Sequence, residues 1–156
     1  MRRHDREVTD KNEIKKILLE GDVCHLAFFD GTEPYIVTMN YGFFWDEKLS
    51  LYFHSAKEGR KIDIIPEHPM VCFSIDTGHE LVSAKHACGW SMKYKSLVGT
   101  GLLELVADPD EKIRGMNLLM EHYAGEAGPY NYENRILEQT TVLRLQVNSF
   151  SGKEKK

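Results

Sequence analysis

The chain has 156 residues, 42% hydrophobic and 28% charged, an ordinary balance for one folded unit with a real core, and its net charge of −4 argues against general nucleic-acid or membrane-surface binding. The opening Met1-Arg2-Arg3-His4-Asp5-Arg6-Glu7 leads into no apolar run, and no stretch approaches the ~20 apolar residues of a membrane helix. Cys24, Cys72 and Cys88 form no close CxxC pair, so the expectation is free thiols in a cytoplasmic protein without signal peptide or membrane anchor.

In chain order, Asp10-Lys11-Asn12-Glu13 reads as a helix start, with Asp10 as cap and Glu13 reaching back. Ile14, Ile17 and Leu18 recur at helical spacing, and Gly21 ends the element. Val23 to Phe29 reads as a strand, Asp30-Gly31 as a turn, and Tyr35 to Tyr41 as a second strand opened by Pro34. A turn through Trp45 to Lys48 leads into the strand Leu49 to His54. Lys57 to Ile65 reads as a short helix stopped by Pro66, and Met70 to Ile75 as a strand. The polar stretch Asp76 to Gly89 has no clear period. Trp90 to Val106 reads as a long strand whose Gly99 and Gly101 suggest a bend, a bulge or close backbone approach. Asp108 caps a second helix, with Pro109 in its first turn and Ile113, Met116, Leu119 and Met120 as its apolar stripe. Ala124 to Asn134 reads as a loop and Thr140 to Val147 as the last strand. One domain over residues 1–156 is expected, with flexible ends at 1–9 and 150–156. Hairpin-linked short strands without a βαβ alternation favour a mainly β (α+β) barrel or sandwich with helices packed outside.

The most informative stretch is Phe53-His54-Ser55-Ala56-Lys57-Glu58-Gly59-Arg60-Lys61, where a strand gives way to a helix. Ser55 and Glu58 fit a capping box, which by itself needs no ligand. The cations fit that plain reading poorly, because positive charge in a first helical turn costs about 0.3–1 kcal/mol each. A bound phosphate would reverse the sign, with Arg holding it bidentately and Lys adding a point charge. A solvated charged face is the rival reading. No GxxxxGK[ST] is present, so this is not a Walker loop.

Taken together, Pro34 to Tyr41, Tyr52 to Ala56, Gly59 to Lys61, Tyr94 to Gly101 and Asp108 to Lys112 occur in the order seen in one family. Over Glu13 to Val147 the chain resembles the pyridoxamine-phosphate-oxidase-like split β-barrels that bind flavin mononucleotide (FMN), in their nitroimidazole-resistance (Nim-type) branch. The resemblance implies that Ser55, Ala56, Arg60 and Lys61 surround the flavin phosphate. It implies that the backbone of Thr38, Met39 and Asn40 lines the isoalloxazine ring, against a plain strand-packing reading of Thr38 and Met39. It places His54 near the flavin, as candidate proton donor or polariser, and Ser96 facing the cofactor, from across a homodimer interface in one arrangement. The Arg-rich C-terminal signature of true pyridoxamine phosphate oxidases is absent, so that activity is not expected.

The resulting expectation is a homodimeric, FMN-dependent oxidoreductase. A small electron donor would reduce the flavin, and a small planar acceptor such as a nitroaromatic or quinone would take the electrons. The second reading is a binding protein without turnover, holding flavin, a deazaflavin, or haem on His25, His54 or His86. Other chemistries find little support. Cys24 and His25 point to opposite faces of a strand, one a core thiol and one an outward imidazole. His79, His86 and Cys88 lack the second ligand pair of a zinc site, so no metal is expected. Lys93, Tyr94 and Lys95 make a basic aromatic cluster in a chain too acidic for a nucleic-acid reading. No nucleophile elbow or Ser-His-Asp order is present.

Overall fold

The computed structural model describes residues 3–156. Eight strands form one antiparallel sheet, with β1 (Glu7–Val8), β2 (Cys24–Phe29), β3 (Pro34–Met39), β4 (Gly42–Trp45), β5 (Leu49–Ala56), β6 (Met70–Val82), β7 (Ser91–Leu105) and β8 (Thr140–Lys155). The spatial order is β3-β2-β6-β7-β8-β5-β4, and β1 pairs with the far end of β8. Four helices accompany it: α1 (Lys11–Glu20), α2 (Arg60–Ile64), α3 (Pro109–Ala124) and α4 (Asn134–Gln139). This is a split-barrel α+β architecture. Consecutive strands β3 and β4 lie at opposite ends of the sheet order, so the chain leaves one edge and crosses to the other at Asn40-Tyr41.

Strand alternation fills the barrel. Leu26, Phe28, Leu51, Phe53, Phe73, Ile75, Leu97, Leu103, Leu143 and Leu145 are almost wholly buried in one cluster. Each such side chain contributes about 1.5–3 kcal/mol of transfer free energy. Helix α1 adds Ile14, Ile17 and Leu18 to that cluster, and Ile64 and Ile65 add the end of α2. The Asp10 carboxylate accepts from the Asn12 and Glu13 amides at 2.9 and 3.0 Å, a cap that contributes about 1 kcal/mol. Glu13 does not reach back; its carboxylate takes Lys16 instead. Tyr41 is buried where the chain crosses over, and its hydroxyl donates to the Leu18 and Gly21 carbonyls.

Four expectations change. The tail is not frayed: Glu154 pairs with Lys95 and Lys155 with Tyr94, while Glu7 and Val8 pair with Lys153 and Gly152, so both chain ends enter the sheet. The polar stretch after Ile75 continues β6 to Val82, past a register shift between Thr77 and Glu80, and returns as β7. Residues 42–45 are a strand rather than the approach to a turn, and pair with β5. On α3 the buried positions are Gly115 and Leu119, while Ile113 and Met120 are exposed. The long strand does carry a register shift, between Thr100 and Gly101.

The α3 stripe differs because the helix sits close to the sheet. A Cβ on Gly42 would lie 2.4 Å from the Leu118 carbonyl carbon, and one on Gly115 2.8 Å from Tyr52 and Val142. Only glycine allows that approach, and backbone cannot give way as a side-chain tip can. Gly42→Ala is therefore expected to lift α3 and cost about 1–3 kcal/mol, read from urea denaturation midpoints. An unchanged midpoint contradicts the close packing.

His122 on α3 contacts the Gly21 carbonyl oxygen through Nε2 at 2.9 Å and packs against Tyr41 and Tyr123. Its Nδ1 is buried without a partner among the described residues. Burial lowers the His122 pKa below the ordinary 6.5, against a smaller opposing effect of Gly21 and Asp22. The unfolded chain then binds the proton more tightly than the folded one. Stability is therefore expected to fall as pH drops below 6.5, and less so in His122→Gln. Denaturation midpoints between neutral and mildly acidic pH check this; parallel slopes in both proteins would contradict it.

Candidate functional site

Strand β5 points Leu49, Leu51, Phe53 and Ser55 inward. Ser55 is 8% exposed, and its Oγ is buried with no hydrogen-bond partner among the described residues. Leaving such a group unpaired costs about 1–3 kcal/mol. The expected capping box is absent. Helix α2 begins at Arg60 behind Gly59, and no side chain caps it. The strand runs one residue past Ser55, and Gly59 then adopts φ 128°, a conformation open to glycine, so Ser55 cannot reach the first turn as a cap. Helix α2 has five residues, too few for its dipole to carry an anion site. The case for an anion rests on Ser55 and the cations after it.

Arg60 and Lys61 occupy the first two positions of α2. One Arg60 nitrogen, Nη2, donates to Asp30 Oδ2 at 2.7 Å and Glu33 Oε1 at 2.6 Å, and the guanidinium lies 4.6 Å over the Tyr35 ring. Asp30 is held well below the usual carboxylate range, first by the Thr32 hydroxyl, then by the Glu33 amide and Arg60. The turn between β2 and β3 thus fixes Arg60 in place while Nε and Nη1 stay uncommitted among the described residues. Lys61 has no ion-pair partner among the described residues. These are the groups in this segment that could bind a phosphate: the Ser55 hydroxyl, the Lys61 amine and the remaining guanidinium N–H groups of Arg60.

The other expected residues divide by strand face. Thr38 is exposed on β3 opposite His25 of β2, whereas Met39 is buried in the core. Asn40 follows β3, and its Nδ2 reaches the Asp22 carbonyl at 3.4 Å. Ser96 on β7 is half-buried, between Asp76 of β6 and Lys153 of β8. His54 is exposed on β5 opposite Val142, and Ala56 ends that strand. Cys24 is buried and His25 half-buried on the opposite face, as their adjacency in a strand implies.

The residues therefore form two groups. Arg60 meets the β2–β3 turn at one end of β3, with Lys61 next to it in the chain and Ser55 five residues before it on β5. Thr38 lies five residues further along, about 16 Å at strand rise. The separation suits an extended mononucleotide. Ser96 and His54 stand on β7 and β5, which do not pair with β3. Sequence reasoning did not find Asp30, Glu33 and Tyr35 as the holders of Arg60. The Asp-Gly-Thr-Glu turn was legible, but its partner lies 27–30 residues away.

The outer face of β3-β2-β6-β7 carries exposed apolar side chains among its polar ones. Ile36 (65% exposed), Phe29 (52%), Met70 (52%), Val98 (42%) and Leu102 (42%) stand on it, Leu102 opposite Met70 and Val98 opposite Ser74. Exposed apolar patches mark interaction surfaces.

Residues 10–154 match the family model described as pyridoxamine 5′-phosphate oxidase. The structure is similar to one described as a "putative 5-nitroimidazole antibiotic resistance protein" from Bacteroides thetaiotaomicron, with TM-score 0.80 and 30% identity over 95% of this chain and 86% of that one. It is also similar to the flavocytochrome Anf3 from Azotobacter vinelandii, with TM-score 0.79 and 20% identity over 100% of this chain and 72% of that one. A FAD and heme binding protein from Mycobacterium smegmatis gives TM-score 0.79 and 18% identity over 97% of this chain and 74% of that one. Among curated proteins, none matches. No helix among the described residues is long and apolar enough to cross a membrane.

Proposed function

The chain belongs to the pyridoxamine 5′-phosphate oxidase family, and from that premise we propose that it is an FMN-dependent oxidoreductase acting in the cytoplasm as a homodimer. The observation that carries this reading is the buried Ser55 Oγ, without a partner among the described residues, five residues before the Arg60-Lys61 step. A phosphate oxygen there would accept from the hydroxyl and from the two cations, and remove the cost of the orphaned group. Solved relatives that bind flavin, alone or with haem, make a flavin phosphate the natural occupant.

The residues of this chain then take distinct tasks. Ser55 and Lys61 bind the phosphate, and Asp30 and Glu33 orient Arg60 toward it. The backbone at Thr38 to Asn40 lines the ring, and His54 polarises it from β5. The outer face of β3-β2-β6-β7 buries its exposed apolar side chains against a second copy, which brings Ser96 to the cofactor and keeps water from the ring. FMN, when bound, supplies two-electron chemistry that no side chain here can provide. The acceptor is a small planar molecule of the nitroaromatic or quinone class.

The test is anaerobic. The FMN-loaded protein is reduced with light, then mixed with a panel of nitroaromatics and quinones. At least one acceptor is expected to reoxidise it faster than it reoxidises free FMN, and His54→Ala at equal flavin occupancy is expected to be slower. If no acceptor beats free FMN, the oxidoreductase reading fails and a flavin-holding protein without turnover replaces it.

A further inference from the structure

The open sheet face carries one cluster of titratable side chains outside the residues assigned so far. His25 Nδ1 lies 4.0 Å from Asp76 Oδ1, and Asp76 Oδ2 lies 3.1 Å from His79 Nε2. Strand register fixes where the cluster sits. His25 stands opposite Thr38 on one side and Ser74 on the other, and Asp76 stands opposite Ser96. His25 therefore stands directly beside Thr38, the outward side chain of the proposed ring site, with Asp76 and His79 next to it on β6. The charged groups nearest in sequence and register are paired elsewhere, Glu80 with Lys93 and Lys95 with Glu20. Beneath the cluster are Cys24, Leu26, Phe73 and Ile75, all buried. On the same face β3 offers only Thr38 and Ile36, and β6 adds the thiol of Cys72. Lys153 of β8 lies beyond Ser96, with its amine 5.4 Å over the Tyr94 ring.

Resting on the reading that a flavin ring lies along Thr38, we propose that His25 is the proton donor to the electron acceptor, with Asp76 and His79 as its positioning residues. Nδ1 faces the carboxylate, so Nε2 is free to face a substrate. Reduction of a quinone takes a hydride from the reduced flavin, which carries both electrons and forms an O–H bond at one oxygen. The second O–H bond, at the other oxygen, takes the proton from Nε2. The products are a hydroquinone, oxidised flavin and a neutral imidazole. Asp76, 4.0 Å away and so beyond hydrogen-bond distance, acts on the imidazole by its charge, and His79, half exposed on the other carboxylate oxygen, links the pair to water, from which the proton is restored. His54 cannot take this role from the same place, since it stands on β5, outside the β3-β2-β6-β7 face.

The experiment compares native protein with His25→Ala, His25→Gln and Asp76→Asn. FMN affinity is read by fluorescence titration, and reoxidation of the reduced holoprotein by 2-methyl-1,4-naphthoquinone by anaerobic stopped flow. FMN affinity is expected to be unchanged in all three variants. Reoxidation is expected to fall on the order of 10²-fold or more in both His25 variants. It is expected to recover in His25→Ala, but not in the bulkier His25→Gln, when imidazole is added to the buffer. Asp76→Asn is expected to lose about tenfold, as variants of a supporting partner do. Native rates in the His25 variants overturn the proposal. So does a rate loss that tracks lost FMN, or one that imidazole leaves unrescued in His25→Ala. A native protein that captures no FMN overturns the flavin reading itself, and this assignment with it.

Discussion

Replacing Arg60 and Lys61 together by alanine is expected to weaken FMN binding by about 3–6 kcal/mol, because each charge-assisted hydrogen bond contributes about 1.5–3 kcal/mol. In a fluorescence titration that is a rise in Kd of about 10²- to 10⁴-fold. Both side chains start a short surface helix, so the flavin-free fold is expected to keep its circular dichroism and melting behaviour. The loss at Arg60 has a second source. Its removal leaves Asp30 and Glu33 unneutralised beside the incoming phosphate, and like charges repel. The opposite change isolates that effect. Glu33→Gln removes one competitor for the guanidinium and is expected to tighten FMN binding modestly. A double variant with native affinity would place the phosphate elsewhere in the fold.

The second large effect concerns assembly. The native chain is expected to sediment at micromolar concentration at about twice its 18.0 kDa mass. Ile36→Glu or Val98→Glu puts an unpaired carboxylate among the exposed apolar side chains of the outer face. Burying it against a second copy would cost several kcal/mol. Each variant is expected to sediment as a monomer and to lose flavin in parallel, since Ser96 would no longer reach the cofactor. The positions are exposed in the single chain, so the fold itself is expected to survive. A monomeric native protein with FMN fully bound would contradict the shared site. Dimers that persist in both variants would move the interface to another surface.

Local chemistry made some elements legible and tertiary context hid others. Asp10 and Asp108 announce α1 and α3 because each carboxylate has amides within three residues to accept from. Those bonds need nothing from the rest of the fold. Strand β4 was hidden because Gly42 to Phe44 falls between a strand read to Tyr41 and a turn read from Trp45. The break at Asn40-Tyr41 exists only because α1 offers the Leu18 and Gly21 carbonyls to the Tyr41 hydroxyl. The charged tail reads as frayed until β1 and β7 supply partners on both sides. The apolar stripe of α3 misleads for the same reason, since Gly42 and Gly115 decide how close the helix comes.

At the site, the Gly-Arg-Lys step after an alternating strand was visible because its charge is unusual at a helix start. The expected role of Ser55 as a cap was not borne out, because the strand runs one residue further and turns at Gly59. The pairing of Arg60 with Asp30 and Glu33 depends on how α2 meets the β2–β3 turn, and that of His25 with Asp76 on the register of β2 and β6, neither of which a local pattern encodes.

The account stands on flavin capture, and the visible absorption spectrum of the purified protein equilibrated with FMN and freed of excess ligand tests it most directly. The expected result is the twin bands of a flavin at one FMN per chain, displaced from those of free FMN by the protein environment, and lost in the Arg60→Ala, Lys61→Ala double variant. A single intense Soret band after supply of haem, or a colourless protein that retains no FMN, would contradict it.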